Sequence, residues 1–427
     1  MSFKLKVLLN LLEIRIQKRI YRNAISALQN KRWKRFNSTL LLSPYYKELV
    51  ERNTPFLNYP IMDKKLFMEN FNKINTQDID LKNALDIAVK SEKSRDFSPM
   101  IKDVTIGLSS GTSGNKGVFL ATKSERAQWV AAVLDRVIGF SFKNRNVAFF
   151  LRANSNLYNS VKSKTLRFEF FDLYDSFENH ITRLNKLNPT ILVAQPSMLL
   201  VLSEAVVNQK LNIQPQKIIS VAEVLYPEDR KILEDTFKQI IHQVYQCTEG
   251  FLASTCSHGT LHFNEDFLII EKKYLDESCT RFHPIITDLL RFSQPIVRYE
   301  LNDIIHEKKN CECGQNTLAI EKIEGRSDDV LFFQNEDEKN ISIYPDFIRR
   351  AIIIADNSIQ DYTVIQTSEN QIELYIDGSD LIYEDAKMGI QELLLKFNIQ
   401  QVKIVRSLNS NHQIGNKLRR IKNEHNK

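Results

Sequence analysis

Glycine is scarce in this chain: 12 of 427 residues. Cysteine is scarcer, at five, and all five lie between Cys247 and Cys313. An odd count confined to one region argues against a disulfide framework, and a chain of this length builds its core without such staples. A reducing cytoplasm is the simplest setting. No apolar run reaches the roughly 20 residues of a membrane-spanning helix. Charge of one sign is also lacking in bulk, with a net value of only +6. That balance carries no nucleic-acid signature, and basic residues gather only at the two ends, in "RIQKRIYRNA" and "KLRRIKNEHNK". Those runs read as solvated helix faces, with anionic lipid or nucleic acid as the sharper reading. The opening "MSFKLKVLLNLLEIRIQ" is broken by Asn10 and Glu13 and is followed by no small-residue cleavage site. It reads as an amphipathic helix capable of weak membrane-surface association, and not as a secretion signal.

What is present is ordinary for a globular protein, 43% hydrophobic and 26% charged residues. The length allows one large domain and a smaller one. Residues 1–100 read as mainly helical, with a turn at "NYPIMDKK". After Val104 short apolar runs alternate with helical segments. "NVAFFLRA" precedes a helix near Phe177–Leu187, and "TILVAQ" precedes a helix after Pro196. "KIISVAE" precedes "YPEDRKILEDTFKQII", and "HQVYQ" is the next strand. Leu233, Phe237, Ile240 and Ile241 fall on one face of a helix there, and Pro227 suits its first turn. This alternation predicts a largely parallel sheet with packed helices. From Phe251 to Ile323 the runs are richer in strands. The last hundred residues read as helix, hairpin, helix and strand. The expected architecture is α/β: a large N-terminal domain of mixed and parallel sheets over 1–325, and a small, mobile α+β domain over 326–427.

Four of the scarce glycines are spent in "GLSSGTSGNKG": Gly107, Gly111, Gly114 and Gly117. Closely spaced glycines let backbone N–H groups converge on an anion. Ser109, Ser110, Thr112 and Ser113 add hydroxyl donors and Lys116 a full charge, a set suited to a triphosphate. It is not a Walker loop, because Gly117 stands where that motif needs a hydroxyl residue.

The stretch resembles the phosphate loop of the adenylate-forming enzymes, the superfamily of acyl- and aryl-CoA ligases. Further motifs recur in that superfamily's order: "VYQCTEG", "VRYELNDI", "IEGRSDDVL" and "GNKLRRI". The likeness is to the phenylacetate–CoA ligase and coenzyme F synthetase-like branch, through "PIMDK", "SVAEVL" and "CECG", and it spans roughly Pro60 to Ile421. The resemblance implies ATP-dependent activation of a carboxylic acid as its adenylate. Ser109, Ser110, Gly111, Thr112, Ser113, Gly114 and Lys116 would hold the β- and γ-phosphates. Thr248 would bond the α-phosphate and Glu249 would hold Mg²⁺. Tyr245 would lie against adenine, unless it is a core aromatic. Ala222 and Glu223 would line the same pocket. Asp303 would accept from the ribose hydroxyls. Arg326 would reach ribose or phosphate, with a surface ion pair as the alternative. Lys417 would meet the α-phosphate in the transition state. Asp328 and Asp329 would form the hinge.

The glycine that usually follows that hinge in the family is missing from "LFFQNEDEKNISIYP". The adenylation half is therefore better founded than the CoA half, and the acceptor is CoA, another thiol, a carrier protein or an amine. A nucleotide-binding regulatory or assembly protein without catalysis is the competing reading. The branch also implies a structural zinc at Cys256, His262, Cys311 and Cys313, with His258 as substitute; buried small thiols are the other reading.

Overall fold

The computed structural model describes residues 1–94, 96, 99–108, 117–139, 144–151, 166–173, 175–326, 329–356, 358–359, 361–409 and 419–425. Ser109–Lys116, Asp328 and Lys417 lie outside the described residues. The chain divides into two compact units. One comprises Met1–Leu301 with His306–Lys322, the other Asn302–Ile305 with Ile323–Lys427.

The larger unit begins with helix α1 (Phe3–Ile20), capped by the Ser2 side chain, and is helical through most of its first hundred residues. Three short strands, β1 (Met100–Ile101), β2 (Val104–Leu108) and β3 (Val118–Ala121), form an antiparallel sheet. β2 and β3 flank the glycine-rich stretch.

The main sheet starts with β4 (Arg145–Leu151), β5 (Leu166–Asp172), β6 (Ile191–Ala194), β7 (Lys217–Val221) and β8 (Ile241–Gln246). These five pair in parallel in the order β5-β4-β6-β7-β8. The helices that return the chain, Phe177–Leu187, Pro196–Val207 and Pro227–Phe237, are built from ordinary signals. Two of them open on proline, whose fixed φ and missing N–H suit the first turn. Beneath them Phe150, Phe171, Leu184, Leu192, Ile218 and Leu233 form one buried cluster. Each fully buried side chain of this size contributes about 1.5–3 kcal/mol.

One expectation fails at the end of the third helix. It stops at Phe237, because Lys238 takes a left-handed conformation with φ 54°. Ile240 is then exposed, and Ile241 opens β8 opposite Ile218 instead of continuing the helical face.

β9 (Phe251–Thr255), β10 (Leu261–Phe263), β11 (Leu268–Tyr274), β12 (Arg281–Asp288), β13 (Ile296–Glu300), β14 (Asp303–Lys308) and β15 (Ala319–Arg326) extend the sheet beyond β8. The order is β8-β9-β10-β15-β14-β12-β11, with β13 also on β12. The smaller unit has a hairpin, β16 (Leu331–Gln334) and β17 (Asn340–Ile343). Its four-stranded sheet joins β18 (Tyr362–Ser368), β19 (Gln371–Ile376), β20 (Lys403–Arg406) and β21 (Ile421–Asn423) in the order β20-β19-β18-β21. The helices Pro345–Ala355 and Asp380–Leu395 supply its core through Ile348, Ile352, Ile390 and Leu394, packed with Val364 and Leu374. At their crossing a Cβ on Gly389 would stand 2.7 Å from the Ala351 carbonyl oxygen, so only glycine permits the approach.

Candidate active site

In an open parallel sheet, ligands bind beyond the carboxyl ends of the strands, where side chains and loop backbone converge. Here β7 runs directly into Ala222 and Glu223, and β8 into Cys247, Thr248 and Glu249. Ala222 takes φ 69°, a conformation disfavoured for a residue with a Cβ, so the strand end is bent under strain. The Glu223 carboxylate accepts from the backbone N–H and the hydroxyl of Ser197, both at 3.2 Å. It thereby caps the helix that begins at Pro196.

Thr248 and Glu249 form a small hydrogen-bonded set. The Thr248 hydroxyl donates to Glu249 Oε2 at 2.8 Å. The Tyr299 hydroxyl, from β13, donates to Glu249 Oε1 at 3.2 Å. Burial, and then the neighbouring Glu249 charge, hold the Tyr299 phenol well above its ordinary pKa, so it stays a donor. The backbone of Met62, in "PIMDK", is hydrogen-bonded to Arg298 and Glu300 on either side of Tyr299.

A cavity of about 440 Å³ opens beside these residues. Val193, Val221, Ala222, Val244 and Thr248 line it from the strand ends, and Trp129, Phe149 and Phe168 from elsewhere. Its wall is mostly apolar. Buried polar atoms of lining residues, among them Thr105 Oγ1, Arg126 Nε, Gln128 Oε1 and Arg291 Nε, have no hydrogen-bond partner among the described residues. Asp288 also lines it; burial pushes its carboxyl up to about 6. Tyr245 is not part of this wall. Its neighbours Val244 and Gln246 are, and its own ring meets Phe263 edge-on at 6.3 Å.

No protein-family model matches the sequence, nor does any curated protein. Solved structures do. 2-Hydroxyisobutyryl-CoA ligase, in its postadenylation state with 2-HIB-AMP, superposes with a TM-score of 0.64 at 15% identity. The match covers 93% of this chain and 90% of that one. The amide bond synthetase McbA from Marinactinospora thermotolerans matches at 0.52 and 11% identity, over 72% of this chain and 65% of its own. The anthranilate CoA ligase AuaEII, in complex with anthranoyl-AMP, matches at 0.52 and 11%, over 74% and 66%. The fold is that of the adenylate-forming ligases. At these identities the likeness is one of fold.

Within the smaller unit of this adenylate-forming fold, Arg326 Nε stands 3.4 Å from Asp303 Oδ1. Asp329 Oδ2 accepts from the Arg326 backbone N–H at 3.3 Å, and Asp329 Oδ1 accepts from Arg419 Nε at 2.9 Å. Burial raises the Asp329 carboxyl, and the Arg419 guanidinium opposes that shift. Asp303, Arg326, Asp329 and Arg419 are thus one cluster.

The sulfur and imidazole groups form another. One donor atom from each of Cys256, His262, Cys311 and Cys313 lies within 4.8 Å of the other three. Cys256 Sγ is 3.8 Å from Cys311 Sγ, and His262 Nε2 is 3.3 Å from Cys313 Sγ. His262 Nδ1 lies 3.2 Å from the Thr317 carbonyl oxygen, which turns Nε2 toward the thiols. His258 places its ring against the Ser257 hydroxyl, outside this set.

Several supporting residues carry no local sequence signal. Glu125 is buried and accepts from the Ser293 N–H at 2.8 Å and hydroxyl at 2.6 Å. Gln294 accepts from the Leu120 N–H and donates to the Val118 carbonyl, both at 2.9 Å, gripping β3 directly after the glycine-rich stretch. Arg291 joins Gln294, at 2.9 Å, to the Thr248 carbonyl, at 3.0 Å. A chain of polar contacts therefore connects β3 to Thr248. Its members are remote in sequence, so only tertiary structure reveals them.

Proposed function

We propose that this protein activates a carboxylic acid with ATP and passes the acyl group to a thiol or an amine. A carboxylate oxygen attacks the α-phosphorus, the bond from that phosphorus to the bridging oxygen breaks, and pyrophosphate leaves with the electron pair. The observation that carries this reading is the convergence of Ala222 and Thr248, just beyond the ends of adjacent parallel strands, on one cavity, with Glu249 hydrogen-bonded to Thr248.

In this reading Ser109, Ser110, Gly111, Thr112, Ser113, Gly114 and Lys116 neutralise the β- and γ-phosphates. Thr248 donates to the α-phosphate, and Lys417 supplies charge to it in the transition state. Glu249 is a carboxylate oriented by the Tyr299 hydroxyl, with its Oε2 released for Mg²⁺ when the Thr248 hydroxyl turns from it to the phosphate. Asp303, oriented by Arg326, receives the ribose hydroxyls. Glu223 acts through its cap on the Ser197 helix, holding the β7 end in place. The tetrahedral donor chemistry of Cys256, His262, Cys311 and Cys313 fits a closed structural zinc site, with no open position for catalysis.

The apolar cavity wall supports an acid with an apolar body. Carboxylate-dependent exchange of labelled pyrophosphate into ATP, across a panel of such acids, tests the proposal. Exchange with at least one acid, lost in Lys417→Ala while ATP binding persists, is the expected result. Tight ATP binding with no exchange from any acid would instead make the protein a nucleotide-binding regulator.

A further inference from the structure

Helix α1 has two apolar faces. Val7, Leu11 and Ile14 are buried against the body of the larger unit. The same side is anchored by ion pairs from Arg15 at 3.2 Å and Lys18 at 2.5 Å to Asp135. Yet Leu5, Leu8, Leu9, Leu12, Ile16 and Ile20 are 46–66% exposed. At about 100° per residue these six fall within an arc of about 120°, opposite the buried face. A surface helix that already buries one stripe gains nothing in water from a second. Scattered exposed apolar residues are normal, but a continuous row along five turns marks a contact surface.

Charge identifies what the row meets. Lys4 borders the arc on one side and Lys6 on the other, while Arg19 stands within it and Arg22 follows the helix. The first 40 residues hold ten lysines and arginines against a single acid, Glu13, in a chain whose total net charge is only +6. Two such helices facing one another would oppose cations to cations, which disfavours a second copy as the occupant. An apolar stripe rimmed by cations is the arrangement of a helix lying in the interface of an anionic bilayer. No helix of the described residues is long and apolar enough to cross one.

We propose that α1 seats the protein on anionic lipid. Its leucine stripe enters the boundary between headgroups and acyl chains, and its basic rim meets the phosphates. Nothing in this inference depends on the reaction proposed above.

The test is co-sedimentation of the full chain with vesicles of phosphatidylcholine alone, or of phosphatidylcholine with phosphatidylglycerol. Binding to the anionic vesicles should exceed binding to the neutral ones at least tenfold and fall as salt rises. Leu8→Glu with Leu12→Glu should reduce it at least tenfold. So should Lys4→Glu with Arg19→Glu, but without loss on raising salt further. Both pairs are solvent-exposed, so unchanged circular dichroism and melting temperature will show that the fold survives. Absence of anionic-vesicle binding, or binding untouched by the leucine substitutions, would overturn the proposal. A dimer in solution that Leu8→Glu with Leu12→Glu dissociates, without vesicle binding, would assign the stripe to a second copy instead.

Discussion

The Tyr299 hydroxyl donates to Glu249 Oε1 at 3.2 Å, so a buried phenol from β13 fixes the carboxylate that follows β8. The two residues are contributed by different parts of the sheet. Glu249→Gln should lower pyrophosphate exchange by about 10²–10³-fold, because it removes the proposed Mg²⁺ ligand. Tyr299→Phe should cost less, about 1–3 kcal/mol of stability if the carboxylate is left short of a donor. It should also raise the Mg²⁺ concentration needed for half-maximal exchange. Equal losses in the two variants at saturating Mg²⁺ would contradict the division of roles.

Asp288 offers a pH test. Its folded pKa is raised from the ordinary 3.8 to about 6, chiefly by burial. Between those values the folded protein binds more protons than the unfolded chain. The group therefore supports stability below about pH 4, and that support is lost as pH rises through about 6. Asp288→Asn should remove this slope and make the protein more stable than the parent at pH 7, by up to about 3 kcal/mol. Denaturant unfolding at pH 4 and pH 7 measures both. A gap between parent and variant that does not widen with pH would show that the carboxyl is not held neutral.

The cysteine–histidine cluster leads to a metal prediction. Elemental analysis should return about one zinc ion per chain. Cys256→Ser should lose it, and a strong chelator should lower the melting temperature of the parent to that of the variant. Full metal content in Cys256→Ser would remove that thiol from the ligand set.

Arg136 and Asp266 form a buried ion pair at 2.6 Å, with the guanidinium also over the Phe267 ring. Removing one member leaves the other charged and dry. Asp266→Ala should cost about 3–5 kcal/mol, read from chemical unfolding, with little change in acid preference.

The regular part of the fold was open to sequence reading because its signals are local. Pro196, Pro227 and Pro345 each begin a helix, and the apolar runs between them became strands. The end of the Pro227 helix was misread because Ile240 and Ile241 keep the helical spacing. The left-handed turn at Lys238 has no strong residue signature, whereas glycine or asparagine there would have announced it. β21 went unread for another reason: three residues make a strand only because β18 lies beside them. The second helix of the smaller unit opens at Asp380, where the Ser379 side chain caps it.

In the site, the motif residues were visible in sequence and their supports were not. Glu125 and Ser293 are 168 positions apart, and no short pattern links them. Tyr245 was left between adenine and core, and its edge-on contact with Phe263, away from the cavity wall, accounts for why strand periodicity alone left both readings open. The cysteine and histidine set was named in sequence by resemblance. Its geometric coherence comes from β10 carrying His262 opposite Ala319 in β15, after the Cys311 and Cys313 loop.

The smaller unit is assembled from two stretches of chain, Asn302–Ile305 and Ile323–Lys427. A gene fragment opening at Ile323 would thus omit Asp303 and its ion pair with Arg326. Anyone wishing to express that unit alone, or to swap it into another protein, must graft a tetrapeptide from upstream as well as the obvious tail.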